Sequence, residues 1–120
     1  MSDRDLTPQQ RAVLREHATE RPFTSPLNDE KRAGAFLCAG CGTLVYESGT
    51  KYDSGSGWPS FYDAVPGSVA TTVDTTHGMT RTEVHCAKCE GHLGHIFPDG
   101  PAPTGLRHCI NGLALTFEAE

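Results

Sequence analysis

The sequence predicts a mainly β, antiparallel domain entered through a short helical N-terminal arm and stapled by a metal at paired cysteines. Three observations carry that prediction. One capped helical segment lies near the N-terminus, short β-prone runs punctuated by glycine and proline follow Gly34, and two Cys-x-x-Cys pairs are spread across those runs. At 120 residues the chain suits one domain, 1–120. A core of that size leaves a thin stability margin, which an added staple widens.

The elements follow in order. Thr7 is a good N-cap, Pro8 suits the first helical position, and Gln10 completes a capping box. Val13 and Leu14 give this helix an apolar face, and it is expected to stop before Pro22. Residues 23–27 read as an extended crossing, with one helical turn starting at Ser25. The β-prone runs are 36–37, 44–46, 69–73, 79–85, 93–97, 106–110 and 113–117. In the last run Leu113, Leu115 and Phe117 alternate with Ala114 and Thr116, the pattern of a half-buried strand. Residues 54–57 and 99–103 are loops by composition.

Charge narrows the function classes. The formal net charge is -5 and the charges are scattered, with no basic stripe for nucleic acid and no basic amphipathic stretch for a membrane surface. The opening segment is charged throughout and lacks the apolar core of a signal peptide, and no later run approaches transmembrane length. These features predict a soluble, cytoplasmic protein with neither nucleic acid nor membrane as partner. In that reducing compartment, five cysteines in two pairs plus one favour metal for the pairs and chemistry for the remainder.

Cys38–Cys41 and Cys86–Cys89 each present two thiolates about one tight turn apart, eased in the first pair by Gly40 and Gly42. Two such knuckles make a tetrahedral sulfur site suited to Zn²⁺. The long gap between the pairs means that they must meet through the fold. A thioredoxin-like redox pair is the alternative, but no βαβ pattern surrounds either pair. Four thiolates close the coordination sphere, which gives the metal a structural role. His85 and His92 flank the second knuckle, but with four thiols neither is needed as a ligand.

The fifth cysteine, Cys109, sits in a strand-like run where alternation puts Arg107, Cys109 and Asn111 on one face. A neighbouring cation lowers a thiol pKa, and an amide can position a substrate oxygen. His92 and His95 offer proton donors near neutral pH, and Gly94 between them permits close backbone approach. Trp58, the only tryptophan, lies in a Gly/Pro-rich loop where its ring can wall a pocket for a methyl group. His17 and His77 lie in contexts that assign them nothing.

Taken together, these motifs resemble the methionine-R-sulfoxide reductases, and the resemblance runs nearly end to end. It takes in residues 13–16 and 18–23, the two cysteine pairs, 51–55, 57–61, 81–84, 92–97, 99–101, Arg107, 109–111 and 115–117. It implies two small antiparallel sheets, structural zinc on the face away from the active site, and reduction of peptidyl methionine-R-sulfoxide. By the same resemblance Cys109 is the nucleophile, Trp58 the methyl-pocket wall, and His92, His95 and Asn111 surround the sulfoxide, with Phe97 and Arg107 in the pocket. Many relatives carry a resolving cysteine where this sequence has Ser56, so Cys109 is expected to pass through a sulfenic acid and rely on thioredoxin or another external thiol. The enzyme is expected to act as a monomer on oxidised proteins or peptides. His108 stands where relatives often have an aromatic, and it points away from Cys109 if the strand is regular. Two other classes stay open: a non-enzymatic zinc-binding interaction module, and a cysteine hydrolase pairing Cys109 with His95.

Overall fold

A computed structural model describes residues 6–75 and 78–120. Helix α1, Pro8–Glu16, begins as its sequence dictates. The Gln10 N–H donates to Thr7 Oγ1 at 3.1 Å, and the Thr7 N–H donates to the Gln10 side chain at 2.9 Å. It ends well before Pro22. His17 enters the left-handed region (φ 59°), and the Ala18 N–H returns to the Ala12 carbonyl at 3.0 Å. The residues after His17 are thereby released as an arm. As expected, Ser25 caps a single 3-10 turn, Pro26–Asp29, its hydroxyl accepting from the Leu27 N–H.

Among the described residues nine strands follow: β1 Gly34–Cys38, β2 Leu44–Glu47, β3 Lys51–Tyr52, β4 Ser60–Phe61, β5 Val69–Asp74, β6 Arg81–Cys86, β7 His92–Phe97, β8 Arg107–Ile110 and β9 Leu115–Ala119. They form the two expected antiparallel sheets, one of order β2-β1-β9 and one of order β3-β4-β8-β7-β6-β5. Boundaries shift where a side chain has no place in a sheet. Met79 is half exposed and the strand after it starts at Arg81. Leu113 lies in a 3-10 turn, Gly112–Ala114, so β9 starts at Leu115.

The core joins the sheets. Phe36 of β1 and Tyr46 of β2 meet Phe61 of β4, with ring centroids 5.0 and 4.4 Å from it. All three rings are fully buried, each contributing about 2–3 kcal/mol. His108 points into this core, as alternation predicts, and its Nδ1 lies 2.8 Å from the Tyr46 hydroxyl. Val13 and Leu14 of α1 close the other side. No helix among the described residues is long and apolar enough to cross a membrane.

Candidate active site and metal centre

Strand pairing sets the site. On β8, Cys109 lies opposite Ser60 of β4 on one side and His95 of β7 on the other. His95 in turn faces Glu83 of β6, which faces Thr72 of β5. Directly opposed residues share a sheet face, so these residues form one row across the larger sheet. Strict alternation would send His92 to the other face from His95. A register shift at Val84/His85 pairs His92 with His85, and the rings of His92 and His95 meet edge to face at 5.4 Å. A Cβ on Gly94 would overlap the Cys109 carbonyl oxygen, so only glycine lets β7 approach β8 this closely.

Above Cys109 opens a cavity of about 300 Å³, walled by Trp58, His95, Phe97, Arg107 and Asn111, with Ser56 and Thr19 at its margin. Six of the seven residues assigned by sequence to catalysis or substrate binding therefore converge. His92 does not line this cavity. It is buried behind His95, its Nδ1 2.8 Å from Glu83 Oε2. Burial lowers the His92 pKa, with Glu83 pulling the other way.

Each wall is fixed by a specific contact. The Trp58 indole N–H donates to the Glu20 carbonyl oxygen at 3.0 Å. Asn111, which lines the cavity, accepts from the Glu20 N–H through Oδ1 and donates through Nδ2 to the Leu93 carbonyl. Arg107 lies over the Phe97 ring at 4.4 Å and is clamped by both Asp99 oxygens. As expected, Arg107 acts to lower the Cys109 thiol pKa, but the net shift of that pKa is upward. Burial pushes it up, and this outweighs the opposing hydrogen bond from Ser56 and the charge of Arg107. Ser56 Oγ lies 3.8 Å from Cys109 Sγ.

Sequence reasoning missed the residues that support this wall. Glu20 is nearly buried and fastens the arm to Trp58, Asn111 and the Leu113 N–H. Asp74 takes His95 Nε2 at 2.7 Å and Arg81 at 3.3 Å. His17, to which the sequence assigned nothing, reaches Glu83 at 3.1 Å and packs against His92. Nothing in the local sequence at His17 signals this, because the contact is made by the end of α1 folding over β6 and β7. His77 lies outside the described residues.

The cysteine pairs do meet through the fold. Their four Sγ atoms lie within 4.8 Å of one another, with Cys38–Cys89 and Cys41–Cys86 each at 3.6 Å. A tetrahedral ion with bonds near 2.3 Å holds its sulfurs about 3.8 Å apart, so the cluster has the size of a Zn²⁺ site. The knuckles have matching turns: the Gly42 N–H returns to Cys38 and the Glu90 N–H to Cys86, with both residues at positive φ. Arg15 of α1 donates to the Cys89 carbonyl at 2.9 Å. None of the four cysteines lines the Cys109 cavity.

Residues 6–119 match the SelR domain. The chain belongs to the SelR family. It is 60% identical over 118 residues to the peptide methionine sulfoxide reductase MsrB of Bradyrhizobium diazoefficiens, covering 98% of this chain and 85% of that protein. It is 56% identical to the MsrB of Leifsonia xyli, covering 98% and 86%, and 52% identical to that of Leptospira interrogans, covering 98% and 90%. The SelR fold is also shared more distantly. A crystal structure of the Mis18 'Yippee-like' domain superposes with a TM-score of 0.59 at 18% identity, covering 74% of this chain and 98% of that one.

Proposed function

We propose that this SelR-family chain reduces peptidyl methionine-R-sulfoxide to methionine, with Cys109 as the nucleophile. The observation that carries the reading is the convergence of the one thiol outside the four-cysteine cluster with Trp58 and His95 on a single cavity. Cys109 attacks the sulfoxide sulfur while Trp58 and Phe97 hold the methyl group, so that only one configuration aims its oxygen at the polar wall. His95 passes a proton to the departing oxygen and is refilled by the proton that the thiol gives up. His92 supports it from behind. Asn111 and Arg107 orient the substrate. The substrate S–O bond breaks and the oxygen ends on Cys109 as a sulfenic acid; cysteine sulfur is oxidised by two electrons and methionine sulfur reduced by two.

Ser56 stands where a resolving thiol would serve, and a hydroxyl cannot form the disulfide. Two thiols from outside, supplied by thioredoxin or another reductant, then restore the Cys109 thiol, releasing water and their own disulfide. Zn²⁺ on Cys38, Cys41, Cys86 and Cys89 would staple the two knuckles and leave no open coordination position for chemistry. The enzyme works as a monomer in the reducing cytoplasm, repairing oxidised proteins.

Stoichiometric methionine sulfoxide, given without reductant and followed by thiol counting and intact mass, tests the scheme. Loss of one thiol with a trappable sulfenic acid is expected, and only the R epimer is consumed. Loss of two thiols would overturn direct reduction by an external thiol. Consumption of the S epimer alone would overturn the substrate assignment.

A further inference from the structure

We infer that His17, Glu83 and His92 form a second metal site, separate from the four cysteines, which takes a divalent transition ion such as Zn²⁺ and reversibly inhibits the enzyme. The three donor atoms lie within 4.8 Å of one another, with Glu83 Oε2 3.1 Å from His17 Nε2 and 2.8 Å from His92 Nδ1. An ion with bonds near 2.1 Å holds tetrahedral donors about 3.4 Å apart, so the two Glu83 contacts would lengthen by roughly 0.3 and 0.6 Å to admit it. Two imidazoles and one carboxylate suit Zn²⁺ and its neighbours, whereas Ca²⁺ and Mg²⁺ demand oxygen-rich shells.

The cluster is already shaped for an ion. The Thr72 hydroxyl donates to Glu83 Oε1 at 2.9 Å, which aims Oε2 at the imidazoles, the kind of outer contact that orients a metal-binding carboxylate. His92 is buried and cannot swing away, while the left-handed turn closing α1 holds the His17 ring 5.0 Å from it. The His17 side chain is 65% exposed and borders a cavity of about 590 Å³, which gives an ion entry and a position for water. Arg81, a cation on that wall, is held by Asp74 at 3.3 Å. Binding needs only that each imidazole carry its proton on the nitrogen away from the metal.

The inhibitory half rests on the proposed reductase reading. The His92 ring packs 5.4 Å from that of His95, and both rings line the cavity that the ion enters, so an ion on His92 ties up the residue that supports His95 and fills the space beside it.

The test uses zinc-loaded protein carrying Cys109→Ser, so that the nucleophile offers no thiolate, titrated calorimetrically with Zn²⁺. One further equivalent should bind. His17→Asn keeps a residue that tolerates the left-handed turn but is too short to ligate, and it should weaken that event by at least about tenfold, since losing even an outer partner costs that much. In the Cys109-intact enzyme, added Zn²⁺ should abolish turnover, and a chelator too weak to strip four thiolates should restore it. His17→Asn should keep its turnover and need at least about tenfold more Zn²⁺ for inhibition. No further binding event, or one that His17→Asn leaves unchanged, overturns the site. Binding without loss of turnover overturns inhibition. A protein inactive before zinc is added fails the reductase reading alone, and calorimetry still decides the site.

Discussion

Cys109 and Ser56 touch at 3.8 Å, and this pair governs how the catalytic cycle must close. Burial pushes the Cys109 thiol pKa up against the opposing pull of Ser56 and Arg107, so the thiol ionises less readily than an exposed cysteine. The hydroxyl of Ser56 can steady a thiolate but cannot accept oxidation. Ser56→Cys is therefore expected to change the product of the first half-reaction. After one equivalent of sulfoxide without reductant, thiol counting should show two thiols lost in the variant against one in the parent, with an intact mass matching a 56–109 disulfide. A variant that still accumulates sulfenic acid would mean that the loop at position 56 cannot bring its sulfur into line. At this scale the chemistry-bearing residues were legible in the sequence, because a fifth thiol, two imidazoles and a lone tryptophan are unusual company. Glu20, Asp74 and Glu83 were not, because a carboxylate in a charged chain looks solvated until the fold buries it against a specific donor.

Elements were legible where a local rule dominates. The capping box fixed the start of α1, and the Gly/Pro breaks delimited the longer strands to within a residue or two. Strands β3 and β4 have two residues each, too few for any period to show, yet β4 is the strand that flanks Cys109. The register shift that brings His92 beside His95 is likewise invisible locally, since it depends on how β6 and β7 pair. The two cysteine knuckles carry a prediction of their own. Gly42 (φ 80°) and Glu90 (φ 65°) fill equivalent turns, but the left-handed region costs an L-residue roughly 1–2 kcal/mol. Glycine's extra chain entropy takes back roughly 0.5–1 kcal/mol. Glu90→Gly should thus raise the stability of the zinc-loaded protein by about 0.5–1 kcal/mol, and Gly42→Ala should lower it by about 1 kcal/mol. Urea midpoints read both. A loss on Glu90→Gly would mean that the exposed Glu90 side chain makes a stabilising contact of its own.

For the whole molecule, the two sheets meet through an aromatic core that also contains a titratable group. His108 sits edge-on to Tyr46, and its Nε2 has no hydrogen-bond partner among the described residues. Burial lowers the pKa of His108 below 6.5, and burial does the same to His92 against the pull of Glu83. A lowered folded pKa means that the unfolded chain binds protons first. The stability held above pH 6.5 by keeping these rings neutral is therefore lost progressively as pH falls below that value. The urea midpoint should accordingly drop between about pH 7 and about pH 5.5. His108→Phe keeps an aromatic ring against Tyr46 and removes one titration; it forfeits a hydrogen bond, a cost that does not vary over this range. Its midpoint should fall less steeply than the parent's. Proton competition for the four zinc thiolates is common to both proteins, so the difference in slope isolates His108. Parallel curves would mean that His108 is protonated in the fold as readily as in the unfolded chain, and that the core around Tyr46 admits enough water to solvate an imidazolium.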